Sequence, residues 1–276
     1  MDQADIIEVI ESISALISVI ACLFIIFVCL TSKFLRRGYP YKYIFILSII
    51  DLIWTSNRLI PPTNFESKNY CIFQACINQS FHLISILWTG LMSLEMYNVT
   101  IRNKRPENFG FKRPLLFIIT FSSLFCIPPF LLKKFGKAQG WCWIAVEKNK
   151  PLETCLYRIL FFYFFAWTCI AWNTFVAIKA RKELKIKFGT EDHATIRQLK
   201  KYPIVLLICY IPMSFYRMID PWVEIPEWVS CFFVIIANLE GFFNVLVFGL
   251  NQDVRKHLKK CCKKHAVTNL PLVDLA

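Results

Sequence analysis

The sequence predicts an all-α membrane protein: a seven-transmembrane helix bundle with its amino terminus outside, its carboxyl terminus inside and a short amphipathic basic helix after the last span. Three observations carry that expectation. Of 276 residues, 56% are hydrophobic and only 18% charged, with a mean hydropathy of +0.47, against roughly 45–50% apolar residues in a soluble globular domain. Mostly apolar runs recur along the chain, each long enough at about 1.5 Å per residue to cross roughly 30 Å of hydrocarbon. The basic residues gather in alternate connecting segments, the pattern that short loops show when they stay in the cytoplasm.

Apolar runs bounded by charge and proline place the spans at about 13–31, 43–60, 71–101, 114–132, 152–180, 202–219 and 228–250. Residues 1–250 then form one bundle and 251–276 a cytoplasmic basic tail. The first run lacks a basic leader and a small-residue cleavage signal, so it reads as the first helix and not as a removed signal peptide. One side of the membrane receives Lys33, Arg36, Arg37 and Lys42, then Arg102, Lys104, Arg105, Lys112 and Arg113, then eight bases from Lys179 to Lys201, then Arg255, Lys256, Lys259, Lys260, Lys263 and Lys264. Those segments hold 23 of the 32 Lys and Arg and carry a net +17, while the opposite side carries −4. The overall charge of +13 therefore reflects topology, and no nucleic-acid partner is expected, because that needs a basic face on a soluble domain. Membrane lipids are the expected partner of the inner bases, since the cytoplasmic leaflet is anionic.

Most of the 12 cysteines need no explanation, because Cys22, Cys29, Cys126, Cys169 and Cys209 sit within spans as small apolar residues. On the oxidising side, Cys71 at the outer end of span three and Cys142 in the next outer loop are the expected disulfide. Cys76, Cys155 and Cys231 are competitors that spacing alone leaves open. Cys261 and Cys262 lie in the basic tail and are candidate S-acylation sites, with two reduced thiols as the plainer reading. Asn78-Gln79-Ser80 and Asn98-Val99-Thr100 match the glycosylation pattern but fall within or at the inner end of a span.

Ionisable residues at membrane depth are costly, so each is a functional candidate. Asp51, in the middle of span two, needs a partner such as Ser48 or Asn244 and reads as part of an internal switch. Glu95 near the inner end of span three reads as a latch or a static ion pair. Arg58, Arg158 and Arg217 all fall near outer ends, where their planar guanidinium groups suit a phosphate or carboxylate. Their bland alternative is snorkelling to headgroups or pairing with Glu153, Asp220 or Glu224. Gln74, Asn78 and His82 recur at every fourth position, stacking on one face of span three. With the arginines and Glu240 of span seven they line the expected outer ligand pocket; interhelical hydrogen bonding is the structural alternative.

Absent motifs narrow the function further. Residues 228–250 contain no lysine for a retinal Schiff base. No phosphate-binding Gly loop, zinc helix, nucleophile elbow or Cys-x-x-Cys pair is present. Neither catalysis nor a cofactor is expected.

Particular segments then resemble a known family. Cys71-Ile72-Phe73-Gln74-Ala75 with Leu87-Trp88-Thr89, the triplet Trp141-Cys142-Trp143, Lys201-Tyr202-Pro203 with Tyr216-Arg217-Met218-Ile219-Asp220, and Gly241-Phe242-Phe243-Asn244 with Phe248-Gly249-Leu250-Asn251 are similar to the cyclic-AMP receptor family, class E of the G-protein-coupled receptors. The end of span seven and Leu94-Glu95-Met96-Tyr97 also resemble secretin and adhesion receptors. The Asp-Arg-Tyr signature of rhodopsin-like receptors is absent. The resemblance implies a plasma-membrane receptor that senses an extracellular small molecule, cyclic AMP or another small anion, and activates a heterotrimeric G protein. A seven-span transporter or lipid-binding scaffold is the alternative.

Overall fold

The computed structural model describes residues 3–33, 35, 39–60, 68–104, 110–138, 141–188, 194–249, 254–255 and 258–259. Its helices are α1 (Gln3–Thr31), α2 (Tyr39–Ser56), α3 (Lys68–Thr100), α4 (Lys112–Leu131), α5 (Pro151–Arg158), α6 (Phe164–Phe188), α7 (Ala194–Ile219), α8 (Glu227–Asn238) and α9 (Glu240–Asn244). A π-helical turn at Ile159–Tyr163 joins α5 to α6, and another at Val245–Gly249 continues α9. The pieces make seven helical rods, with α5–α6 as the fifth and α8–α9 as the seventh. Val9–Thr31, Lys68–Thr100, Lys112–Leu131, Pro151–Ile186 and Trp228–Val247 are each long and apolar enough to cross a membrane, and Ile204–Ile219 is a shorter apolar helix.

The chain is not wholly helical, as the sequence led one to expect. Strands β1 (Phe135–Lys137) and β2 (Cys142–Ile144) pair antiparallel, with Gly136 opposite Trp143. The segments are three residues each, too short to display a strand period. Beyond residue 249 only 254–255 and 258–259 are described, both helical. The expected basic tail helix and Cys261 and Cys262 therefore fall largely or wholly outside the described residues.

The rods pack with their polar and small residues inward. On α1 the buried positions Glu11, Ser14, Ala15, Ser18, Cys22, Ile25 and Cys29 recur at three and four, while Ile13, Leu16, Ile20, Leu23 and Phe27 face outward. That arrangement suits lipid, where burying large apolar side chains gains little and close backbone approach gains contacts. Helix α3 is central, with 56% of its span buried against 22% for α4, and it touches α2, α4, α6 and both strands. Trp88, fully buried, donates from Nε1 to the Tyr43 carbonyl at 3.0 Å and stacks on that ring, locking α3 to α2.

At Gly241 an added Cβ would stand 3.0 Å from Cys22 Sγ and 3.3 Å from the Ser18 Cβ. Rod seven therefore meets α1 closely enough that any side chain here would force its neighbours to shift. Gly241→Val is expected to destabilise the protein by about 1–3 kcal/mol through overpacking, whereas Gly110→Ala, with nothing within 4 Å, leaves stability unchanged. Thermal unfolding of the purified variants checks this, and equal midpoints would contradict the tight crossing.

Candidate ligand-binding site

The site begins with the Cys71–Cys142 disulfide, which ties β2 to the first turn of α3. Polar residues of the α3 stripe complete the attachment. Gln74 Oε1 accepts from the Cys142 amide at 2.9 Å, and Asn78 Nδ2 donates to the Cys142 carbonyl at 3.0 Å. Gln74 Nε2 also donates to the carbonyls of Asn57 and Ile60, fixing the end of α2. One turn on, Gln79 accepts from the Trp143 indole at 2.7 Å and donates to the Phe161 carbonyl in the π turn. The hairpin is thereby held as a lid across the end of the bundle that carries the disulfide. Pro151 starts α5 without needing an amide donor, and Lys134 bridges Glu147 and Glu153 at 2.8 and 2.7 Å. Those two carboxylates hold the Lys134 ammonium above the usual lysine range, hydrogen bonding to Glu147 being the larger cause.

Beneath the lid the three arginines have different surroundings. Arg158 and Arg217 share one carboxylate. Arg158 Nη1 lies 2.5 Å from Asp220 Oδ1, and Arg217 Nη1 lies 3.3 Å from Asp220 Oδ2, with all three side chains fully buried. Arg158 also donates to the backbone carbonyls of Arg217 and Ile144, so it ties rod five to α7 and to the lid. Arg58 differs. Its Nη1 donates to Asn238 Oδ1 at 2.7 Å, and its guanidinium lies 4.3 Å from the Trp54 ring and 3.7 Å from the Trp141 ring. It is 7% exposed, its Nε has no hydrogen-bond partner, and among the described residues no carboxylate is within ion-pair distance. Trp141 also lies 4.5 Å from the Arg217 guanidinium, so one indole serves two cations.

His82 and Glu240 meet lower down, Nε2 to Oε2 at 3.2 Å, with Tyr210 donating to the other Glu240 oxygen at 2.6 Å. The His82 ring stacks on Trp54. Deeper still, Asp51 is fully buried and accepts from Ser85 at 2.6 Å and from Asn244 at 2.8 Å. Glu95 is half-buried near the inner end of α3, away from this group.

Two spaces lie among these residues. Arg58, His82, Trp141, Tyr163, Tyr210 and Glu240 surround an inner cavity of about 20 Å³, the size that holds about one water. A separate open vestibule of about 770 Å³, which shares no lining residue with that cavity, is bounded by Lys137, Lys148, Lys150 and Glu224, with Asp220 on its wall. Lys148 and Glu224 cross its mouth at 2.5 Å, and the lysine lowers the pKa of that carboxyl. The vestibule suits a small organic ligand in size, whereas the inner cavity in this conformation does not.

The structure gathers Arg58, Asn78, His82 and Glu240 around the inner cavity. Gln74, Arg158 and Arg217 stand behind that wall, each engaged with protein groups. The ionisable residues did not point to Trp141, Trp143, Phe162, Tyr163 and Tyr210, which line the cavity with aromatic surface. The available signal was the Trp141-Cys142-Trp143 triplet, which puts an indole on each side of the loop cysteine.

The chain matches the family model described as slime mold cyclic AMP receptor over residues 1–260. It is similar to G-protein coupled receptor 1 of Arabidopsis thaliana, 23% identical over 274 residues, covering 91% of this chain and 80% of that protein. It is 24% identical over 220 residues to cyclic AMP receptor 2 of Dictyostelium discoideum, covering 74% of this chain and 55% of the relative, so it spans about half that protein's length. Cyclic AMP receptor-like protein A of the same organism is 24% identical over 276 residues, 96% and 69% covered. Squid rhodopsin superposes with a TM-score of 0.70 at 12% identity, covering 94% of this chain and 87% of its own. The chain therefore shares its fold with squid rhodopsin.

Because two guanidinium groups depend on one buried carboxylate, Asp220→Asn is expected to cost about 3–5 kcal/mol. Thermal unfolding of the purified variant checks this against Glu224→Gln, an exposed pair member expected to leave the midpoint unchanged. If the two variants unfolded alike, the triad would not be what holds α7 to rod five.

Proposed function

Given that the chain belongs to the slime mold cyclic AMP receptor family, we propose that it is a G-protein-coupled receptor for a small anionic ligand arriving from outside the cell. Family and fold are those of receptors rather than enzymes. In this reading seven spans within residues 1–250 place the amino terminus outside and the basic loops and tail inside, at the plasma membrane. Cyclic AMP enters as the first candidate ligand because two of the relatives carry it in their names, and G-protein coupling because a third does.

One observation carries the proposal: Arg58 is buried beside a cavity without a carboxylate partner. A buried cation is expensive, and its two tryptophan faces offset only part of that cost. A phosphate oxygen reaching it would gain a charge-assisted hydrogen bond in a place where water competes poorly. His82, Glu240 and the aromatic walls are proposed to complete the pocket, and Trp141 and Trp143 on its lining provide ring surfaces for a planar ligand.

The cavity's size gives the mechanism its direction. A ligand larger than water binds only a wider conformation, and by binding it preferentially shifts the population toward it. Widening separates the lid and α7 from rod five, the elements that Arg158 and Asp220 now join. Movement of the inner ends of α6 and α7, which continue toward the bases between Lys179 and Lys201, is the proposed signal to a heterotrimeric G protein. Asp51 with Asn244, and Glu95 nearer the inner end, are the proposed internal switch residues, and Cys261 and Cys262 the proposed lipid attachment.

The test is guanine-nucleotide exchange on a purified heterotrimer by the full chain in nanodiscs, with cyclic AMP, cyclic GMP and inorganic phosphate as probes. A ligand-dependent rise is expected, and Arg58→Gln is expected to move the half-maximal concentration up by about tenfold or more, the worth of one charged hydrogen bond. Unchanged potency in that variant would remove the anion site from this cavity. Anion flux across proteoliposomes without G protein, together with no exchange activity, would favour a transporter.

A further inference from the structure

At the end of the bundle opposite the disulfide, the carboxyl end of α1, the start of α2 and the start of α4 enclose an apolar slot of about 330 Å³. Its walls are Cys29, Leu30, Leu35, Phe45, Ile46 and Phe111, with Tyr41 and Lys42 at one side. Leu35 and Tyr41 are buried, whereas Leu30 is 52% exposed and opens the slot sideways toward surrounding hydrocarbon. Among the described residues no acidic side chain lines it.

Among the described residues no carboxylate lies within ion-pair distance of Lys33, Lys42, Lys112 or Arg113. Lys112 and Arg113 also stand in the first turn of α4, directly after the slot residue Phe111. Phe111 is the N-cap of that helix and offers no side-chain hydrogen bond. Cations at this end oppose the helix dipole, and the free amides there favour an anion. An apolar slot open to lipid beside unpaired cations is complementary to one chemistry, a molecule with an acyl chain and an anionic head.

We propose that this slot binds an anionic phospholipid of the inner leaflet, its acyl chain along Leu30, Phe45 and Ile46 and its headgroup held by Lys42, Lys112 and Arg113. The assignment to the inner leaflet rests on the threading proposed above; the chemistry of the slot does not. The bound lipid joins α1, α2 and α4 at the end where a G protein would dock.

The test uses the purified full chain in nanodiscs of phosphatidylcholine and phosphatidylserine, with lipids retained after ejection read by native mass spectrometry. Preferential retention of phosphatidylserine is expected. Lys42→Gln should weaken that retention about fivefold, the worth of one base near an anionic headgroup, and adding Lys112→Gln and Arg113→Gln should abolish the preference. Ile46→Trp, which fills the slot, should lower retention of phosphatidylserine with the bases intact; Leu30→Trp repeats the measurement from a lipid-facing position. Equal retention of the two lipids by the unaltered chain, or a preference that survives all three charge substitutions, would overturn the proposal. So would loss on Ile46→Trp with no charge effect, the sign of a sterol or a second copy in the slot. The readout contains no G protein, and a symmetric nanodisc offers phosphatidylserine to both ends. Failure of the receptor reading would therefore leave this result standing, and failure here would leave that reading untouched.

Discussion

Two guanidinium groups and one carboxylate, all with buried side chains, set the architecture of the half that carries the disulfide. Arg158 belongs to rod five and Arg217 and Asp220 to the end of α7, so the charge they cannot leave unpaired forces those rods together. Arg158 also spends a donor on the Ile144 carbonyl, which draws β2 into the same arrangement. The lid is then held from rod five by a charged hydrogen bond and from α3 by the disulfide and the Gln74, Asn78 and Gln79 side chains. With one carboxylate for two cations the group retains a positive charge, and Trp141, between Arg217 and Arg58, is the surface over which that charge is spread.

The same logic explains why so many polar groups lie in the interior beside its apolar clusters. In lipid there is little to gain from hiding leucine, and the large apolar residues of α1 and α4 point outward accordingly. What draws the rods together is small residues that permit close approach and buried polar groups that must find partners. Ser18 shows both uses. Its hydroxyl donates to the Asn238 carbonyl at 2.5 Å and accepts from the Phe242 amide at 3.2 Å, holding α1 against rod seven across the break in that rod.

How much of this was visible beforehand depends on whether a partner is local. The long apolar helices, the paired cysteines and the α3 stripe follow from composition and the helical period, which need no tertiary knowledge. Asp51 announced its need for a partner by lying mid-span, and Asn244 was among the few polar residues able to answer. The uses of Gln74 and Asn78 were hidden, because both are satisfied by the backbone of Cys142, a position set only once the hairpin has folded. The spacing of Arg217 and Asp220 is a helical neighbour pair, but nothing along the chain aligns either with Arg158. The π turn was equally illegible, since it depends on one rod's fit between neighbours rather than on its own residues.

Rod seven shows what such irregularities accomplish. In a regular helix two residues apart lie about 200° around the axis, so Asn238 and Glu240 would point to opposite sides. Leu239 breaks the helix between them, with φ −79° and ψ 3°. Both polar side chains then turn into the bundle: Asn238 holds Arg58 while donating to Ser14 and to the Glu11 carbonyl, and Glu240 meets His82 and Tyr210. An unbroken rod would leave one of the two facing lipid without partners. The break thus places Arg58's anchor and the acid beneath the cavity on one short segment, and any movement of rod seven there changes both together.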